Sequence, residues 1–209
     1  MSVAPIVSID SDNPQPRLIQ RAVTMLEAGG VLAYPTDTYY GVGCDLHAKK
    51  AIERLYQIKG RDRKKPLALI VPDLSEVARY AIISNFAYRL LRRLTPGPFT
   101  FVLPATRVVP EMMQSRQKEV GIRVPDSKVV RALAAGLGRP LVTTSATLPD
   151  GQPLIDPRDI KDALGARLDL ILDGGVHPNA PSTILSLMDD RLEILRQGQG
   201  ELPAGILEA

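Results

Sequence analysis

Hydroxyl and cationic side chains gather in four short stretches of the chain, and together they suit the holding of an anion beside a polar organic group. The first is Tyr34-Pro35-Thr36-Asp37-Thr38-Tyr39-Tyr40-Gly41-Val42-Gly43. Its hydroxyls can direct hydrogen bonds, and its glycines let another group come close to the backbone. The second is Lys59-Gly60-Arg61-Asp62-Arg63-Lys64-Lys65-Pro66, five cations around one carboxylate. Lysine serves phosphate as a point charge and arginine as a planar fork. This stretch lacks the glycine spacing and the Lys-Ser/Thr ending of a phosphate-cradling P-loop. The third is Thr143-Thr144-Ser145-Ala146-Thr147, and the fourth is split between Pro181-Ser182-Thr183 and Leu195-Arg196-Gln197-Gly198. Taken singly, each has a plainer explanation: a polar turn, a solvated charge run, strand-end capping, a surface charge. Neither His47 nor His177 has a local pattern that would make Ser145 the nucleophile of a triad.

The elements that must position these stretches alternate between strand and helix, which points to an α/β fold with a mixed sheet. Strands are expected at 6–9, 31–34, 67–71, 99–103, 120–124, 141–144, 170–172, 183–187 and 192–195. A helix is expected to begin at Asn13-Pro14, with the proline in the first helical position, and to end at Gly29-Gly30. Leu18, Ala22, Met25 and Leu26 recur through it at helical spacing. Further helices are expected at 51–58, at 84–94, from an Asp126 cap to Gly138, and after Asp156-Pro157. No repeat or linker breaks the pattern, so residues 1–209 read as one domain.

Composition narrows the function classes. The 209 residues are 44% hydrophobic, enough for a sizeable core, and no apolar run of about 18 residues suggests a membrane span. Met1 to Asp10 lacks the pattern of a signal peptide, and the single cysteine, Cys44, fits a reducing, cytoplasmic setting. With two distant histidines and one cysteine, no protein-bound metal site is expected. The net charge of +3 permits an anionic ligand or nucleic acid without requiring one. Aromatic content of 4% with no tryptophan gives little support to a base-stacking platform.

The order YPTDTYYGVG, KGR, TPGPFTFVL, VGIRVP, TSAT, DLILDGG, PSTILSL and ILRQG spans residues 34 to 198. In that order the chain resembles the YrdC/YciO family, which includes the threonylcarbamoyl-AMP synthases. The resemblance implies a single α/β domain with a twisted sheet, flanked by helices, and an open basic cleft. It implies condensation of L-threonine, bicarbonate and ATP, with magnesium arriving on the ATP, into threonylcarbamoyl-AMP and pyrophosphate. A partner threonylcarbamoyl-transferase would then modify tRNA. The alternative is a non-catalytic protein that binds double-stranded RNA or tRNA through the same cleft.

Carried over by position, Thr36, Arg123, Ser145 and Ser182 would contact threonine. Lys59, Arg61, Thr147 and Arg196 would contact ATP, and Lys59, Arg61 and Ser145 would form the catalytic set. The chemistry asked of them is positioning and charge neutralisation around an α-phosphorus, without a covalent nucleophile. The chain departs from the synthase pattern at Asp62, Ile70, Glu119, Thr147 and Ile155, and these departures lean towards the YciO branch. Glu119 is expected near ATP, where its charge would be unfavourable.

Overall fold

The structure is a computed structural model describing residues 3–60, 67–177 and 180–206. Its strands are β1 (Ile6–Ser8), β2 (Leu32–Tyr34), β3 (Gly41–Asp45), β4 (Ala68–Ile70), β5 (Phe99–Pro104), β6 (Glu119–Arg123), β7 (Leu141–Ser145), β8 (Leu170–Asp173), β9 (Thr183–Ser186) and β10 (Glu193–Arg196). Its helices are α1 (Pro16–Glu27), α2 (Lys49–Ile58), α3 (Val77–Tyr80), α4 (Asn85–Leu94), α5 (Lys128–Leu137) and α6 (Pro157–Leu164). All ten strands join one sheet in the order β1-β8-β2-β3-β7-β4-β6-β5-β9-β10. Parallel pairs such as β4–β6 and antiparallel pairs such as β3–β7 both occur in it, so the sheet is mixed, as expected.

Side chains alternate between the two faces of a strand, and here the faces have different fates. On one face Val42, Leu69, Phe101, Ile122, Val142 and Leu185 form the main core beneath α2, α3, α4 and α6. On the other, Leu32, Tyr34, Ile70, Leu141, Leu170 and Leu172 form a second core beneath α1 and α5. That second core covers part of its face and stops partway along β4 and β7. Ile70 and Leu141 lie in the core, whereas Ala68, Thr143 and Ser145 line an open cleft.

Local chemistry sets the helix ends. Gly29 N–H donates to Leu26 O (2.9 Å) and Gly30 N–H to Met25 O (2.8 Å), the paired bonds of a Schellman motif. Gly29 sits at φ +83°, and a Cβ on Gly30 would meet Met25 O at 2.7 Å, so both positions favour glycine. Ser84 accepts from Ala87 N–H at the start of α4, and Asp156 accepts from Arg158 N–H at the start of α6.

Two expected helix starts move. Asp10 Oδ1 accepts from the N–H groups of both Asp12 and Asn13 at 2.8 Å, which holds that segment as a turn. Pro16, not Pro14, therefore takes the first helical turn of α1. Asp126 does not cap α5 either. Its N–H donates to Asp37 Oδ2 (3.0 Å), and Ser127, the residue before the helix, donates its hydroxyl to Pro35 O (3.2 Å). A backbone donor and a hydroxyl thus tie the start of α5 to the 35–37 loop. Strand β3 was not expected, because glycine at two of its five positions hides the apolar signal.

Candidate functional site

The floor of the open cleft is made of small and polar side chains in adjacent strands. Gly41 of β3 pairs with Ser145 of β7, Ala68 of β4 pairs with Thr143 of β7, and Thr100 of β5 pairs with Ile184 of β9. All six line the cleft. Small residues here leave a concavity where the same face elsewhere is filled by leucine and isoleucine.

Charged groups enter at the ends of elements. Lys59 follows the last turn of α2, Arg123 ends β6 and Arg196 ends β10. These three cations line the cleft, and among the described residues no carboxylate does. Ser145 and Ser182 line it as well, so Lys59, Arg123, Ser145, Ser182 and Arg196 come together from five separate parts of the chain.

Arg123 is 7% exposed. Its Nη2 donates to Asp37 Oδ1 (2.9 Å) and to Thr38 Oγ1 (3.0 Å), while its buried Nε has no hydrogen-bond partner among the described residues. Burial lowers its pKa, opposed first by the Asp37 charge and then by Tyr34. Arg196 is also lowered, by burial and then by the like charge of Arg123. Guanidinium stays ionised through such shifts, so Arg196 and the Asp37-paired Arg123 both stand as cations at the cleft. Arg196 is oriented by Ser182, whose carbonyl accepts from Arg196 Nη2 (2.7 Å) and Nε (3.2 Å). The Ser182 hydroxyl lies 3.2 Å from Arg196 Nη2 and 2.9 Å from Thr100 Oγ1.

The glycines of the first stretch serve the protein itself. Cβ atoms on Gly41 and Gly43 would meet the Tyr34 ring at 2.5 Å and its hydroxyl at 2.2 Å. Their absence lets the ring cross β3, so that the Tyr34 hydroxyl donates to Thr143 Oγ1 (2.8 Å) at the edge of the cleft. Tyr40, another lining residue, is anchored behind the cleft. Its hydroxyl donates to Gly175 O (2.6 Å) and accepts from Gly174 N–H (3.0 Å).

Other expected residues stand elsewhere. Thr36 is 4% exposed and does not line the cleft. Its hydroxyl donates to Tyr39 O (2.7 Å) and accepts from Thr38 N–H (3.0 Å), which folds the loop that holds Arg123. Thr147 lies outside the lining and bridges to Pro153. Arg61 falls outside the described residues, as does Asp62. Ile70 is fully buried in the second core, so this departure from the synthase pattern lies under α5 rather than in the cleft. Glu119 corrects the expectation of a carboxylate beside ATP. It starts β6, at the end opposite Arg123, and its Oε2 accepts from Ser115 Oγ (2.8 Å). Ile155 lends its carbonyl to His177 N–H (3.0 Å).

Sequence reasoning gave no role to Asp37, Thr38, Thr100 or Tyr40. Thr100 was legible as the polar position between Phe99 and Phe101. The Asp37–Arg123 pair joins residues too far apart in the chain to be seen there.

Among the described residues, no helix is long and apolar enough to cross a membrane, and no three His, Cys, Asp or Glu side chains cluster as a metal site. The buried Cys44 thiol is pushed up to about 12 by burial, with the Asp45 charge adding to it, so it is a poor nucleophile where it stands.

Comparison with known proteins agrees with this architecture. The Sua5/YciO/YrdC family model, described as "Telomere recombination", matches residues 24–198. The uncharacterised protein YciO of Escherichia coli (strain K12) is 40% identical over 196 residues, covering 93% of this chain and 95% of the relative. The crystal structure of E. coli YciO superposes with a TM-score of 0.91 at 38% identity, covering 95% of this chain and 97% of that one. The threonylcarbamoyl-AMP synthase of Vibrio vulnificus (strain YJ016) is 34% identical over 184 residues, covering 86% of this chain and 98% of the relative. P. abyssi Sua5 complexed with L-threonine matches with a TM-score of 0.87 at 26% identity, covering 93% of this chain and 58% of that one. On sequence and fold together, the chain belongs to the Sua5/YciO/YrdC family.

Proposed function

We propose that the chain condenses L-threonine, bicarbonate and ATP into threonylcarbamoyl-AMP and pyrophosphate, the first step of a tRNA modification. The observation that carries this reading is the meeting of Lys59, Arg123 and Arg196 with Ser145 and Ser182 in one cleft whose described lining holds no carboxylate. Family membership with a threonylcarbamoyl-AMP synthase and likeness to a threonine-bound Sua5 support it.

The substrate groups divide naturally among these residues. Arg123, with its unpartnered Nε, takes the threonine carboxylate, and Ser145 and Ser182 take its polar groups. The threonine amine and bicarbonate join as N-carboxythreonine with loss of water, and its carbamate oxygen then attacks the α-phosphorus as the bond to pyrophosphate breaks. Lys59 and Arg196 face the phosphate chain and offset the charge that develops on it. Arg61 and Thr147 belong to the ATP side of this assignment, and Thr36 to the threonine side as the residue that folds the Arg123-holding loop. Magnesium enters as part of the ATP substrate, coordinated by phosphate oxygens, since the described lining offers it no carboxylate.

The test is incubation of the purified protein with magnesium-ATP, bicarbonate and L-threonine. Product is read as threonylcarbamoyl-adenylate by mass spectrometry and as pyrophosphate in stoichiometric amount. Synthesis that disappears without bicarbonate and in Lys59→Ala supports the reading. Absence of both product and a threonine-induced thermal shift overturns it.

The same lining, which holds no carboxylate among the described residues, also suits an RNA phosphate backbone. RNA affinity that falls steeply with salt and survives Ser145→Ala, in a protein that makes no product, favours the binding role.

A further inference from the structure

The Arg123 guanidinium carries a counter-ion of its own, and the geometry of that pair says more than the presence of an arginine. Asp37 and Arg123 side chains are each 9% exposed. Asp37 uses both carboxylate oxygens as acceptors: Oδ1 takes Arg123 Nη2 at 2.9 Å and Oδ2 takes Asp126 N–H at 3.0 Å. A carboxyl group can accept on both oxygens, whereas an amide has a single acceptor oxygen. Thr38 Oγ1 accepts from the same Nη2 at 3.0 Å. Among the described residues, the guanidinium is gripped through Nη2, while Nε is buried without a partner and the residue lines the cleft. Asp37 itself does not line the cleft. Its backbone carbonyl accepts from Gln199 Nε2 (2.9 Å), which ties the segment after β10 to the same loop.

We infer that Asp37 is a positioning residue that acts electrostatically. It fixes Arg123 by Nη2, turns the Nε edge toward an incoming oxyanion, and limits how tightly that oxyanion is held. The physical reason is charge balance. A buried arginine without a counter-ion is costly and would hold any anion strongly. Paired with Asp37, it presents directed donors with little net charge, so recognition depends on hydrogen-bond geometry rather than on attraction at a distance. Resting on the synthase reading, the consequence is kinetic. Threonine and the adenylate product share the same carboxylate, and an Arg123 whose charge is already balanced can release the product.

The test uses inorganic phosphate as the probe, so it is independent of any synthase activity. Affinities are measured by calorimetry for the wild type, Asp37→Asn, Arg123→Gln and the double variant, with melting followed in parallel. Removing the Asp37 charge should tighten phosphate binding by about tenfold in the presence of Arg123 and leave it unchanged in the Arg123→Gln background. A purely structural role would lower the melting temperature and weaken phosphate instead. Weaker binding in Asp37→Asn, an equal change in both backgrounds, or no phosphate binding by the wild type each overturn the inference. Should Asp37→Asn not fold, the wild type still decides the matter by NMR. The Arg123 Nε–H resonance, assigned by its loss in Arg123→Gln, should move on phosphate addition, and a stationary resonance overturns the inference. If threonylcarbamoyl-AMP synthesis is established, Asp37→Asn should also lower both KM for threonine and kcat. A lowered kcat with unchanged KM counts against the release argument.

Discussion

One face of the sheet holds two regions that differ in almost every respect, although single strands run through both. Under α1 and α5, Leu32, Ile70, Leu141 and Leu170 are buried with Leu26, Val130 and Leu133. Further along two of the same strands, Ala68, Thr143 and Ser145 line the open cleft. Side chains two apart point the same way, so the switch from core to site is made by residue type and helix coverage, not by strand direction. Where the face is apolar, helices bury it. Where it is small and hydroxylated, nothing apolar is gained by covering it and a concavity remains. Tyr34 sits on the border, its ring in the covered core and its hydroxyl on Thr143 of the cleft.

Substitutions can break or sharpen this contrast. The largest effect is expected from Arg123→Ala, which leaves the Asp37 carboxylate buried without its guanidinium. Breaking such a pair costs about 3–5 kcal/mol, read as a drop in denaturation midpoint, and threonine binding should be lost with it. Leu133→Ala in the covered region should cost about 2–5 kcal/mol yet leave the turnover of the protein that remains folded unchanged. Loss of specific activity there would erase the distinction between the regions.

Gly43→Ala attacks the border. Its Cβ would stand 2.2 Å from the Tyr34 hydroxyl and 2.7 Å from Val142 O. Overpacking of this kind costs about 1–3 kcal/mol, and chemical denaturation should show it together with a weakened threonine site. Ile70→His places a polar ring at a position the fold has sealed. It should lower stability by about 1–3 kcal/mol without raising synthesis, and a gain in activity would show that Ile70 faces the site after all. The smallest change in stability belongs to Ser145→Ala, which should shift the midpoint by no more than about 0.5 kcal/mol while abolishing product formation.

Much of this molecule was legible in its sequence. The apolar strands were visible as runs, and the helix that ends at Gly29-Gly30 was visible because backbone geometry leaves few residues free to end a helix that way. Lys59, Ser145, Ser182 and Arg196 could be named because their types stand out against the elements they flank, whereas Arg123 was named only through the family resemblance. Three things were not legible. Strand β3 was hidden because its glycines answer to Tyr34, a residue of another strand. Thr36 and Glu119 gave no local sign of their partners: Thr36 turns its hydroxyl to its own loop, and Glu119 turns to Ser115 at the far end of β6.

The chain's local chemistry determined which segments extend, which coil and which side chains could face an anion, since those properties depend on neighbours within a few residues. Tertiary structure alone decided which of them meet. Asp37 lies 2.9 Å from Arg123, and Thr100 lies 2.9 Å from Ser182, because an order of strands far from the order of the chain brings them together. Contacts of that kind depend on the packing of the whole sheet, and no local pattern encodes them.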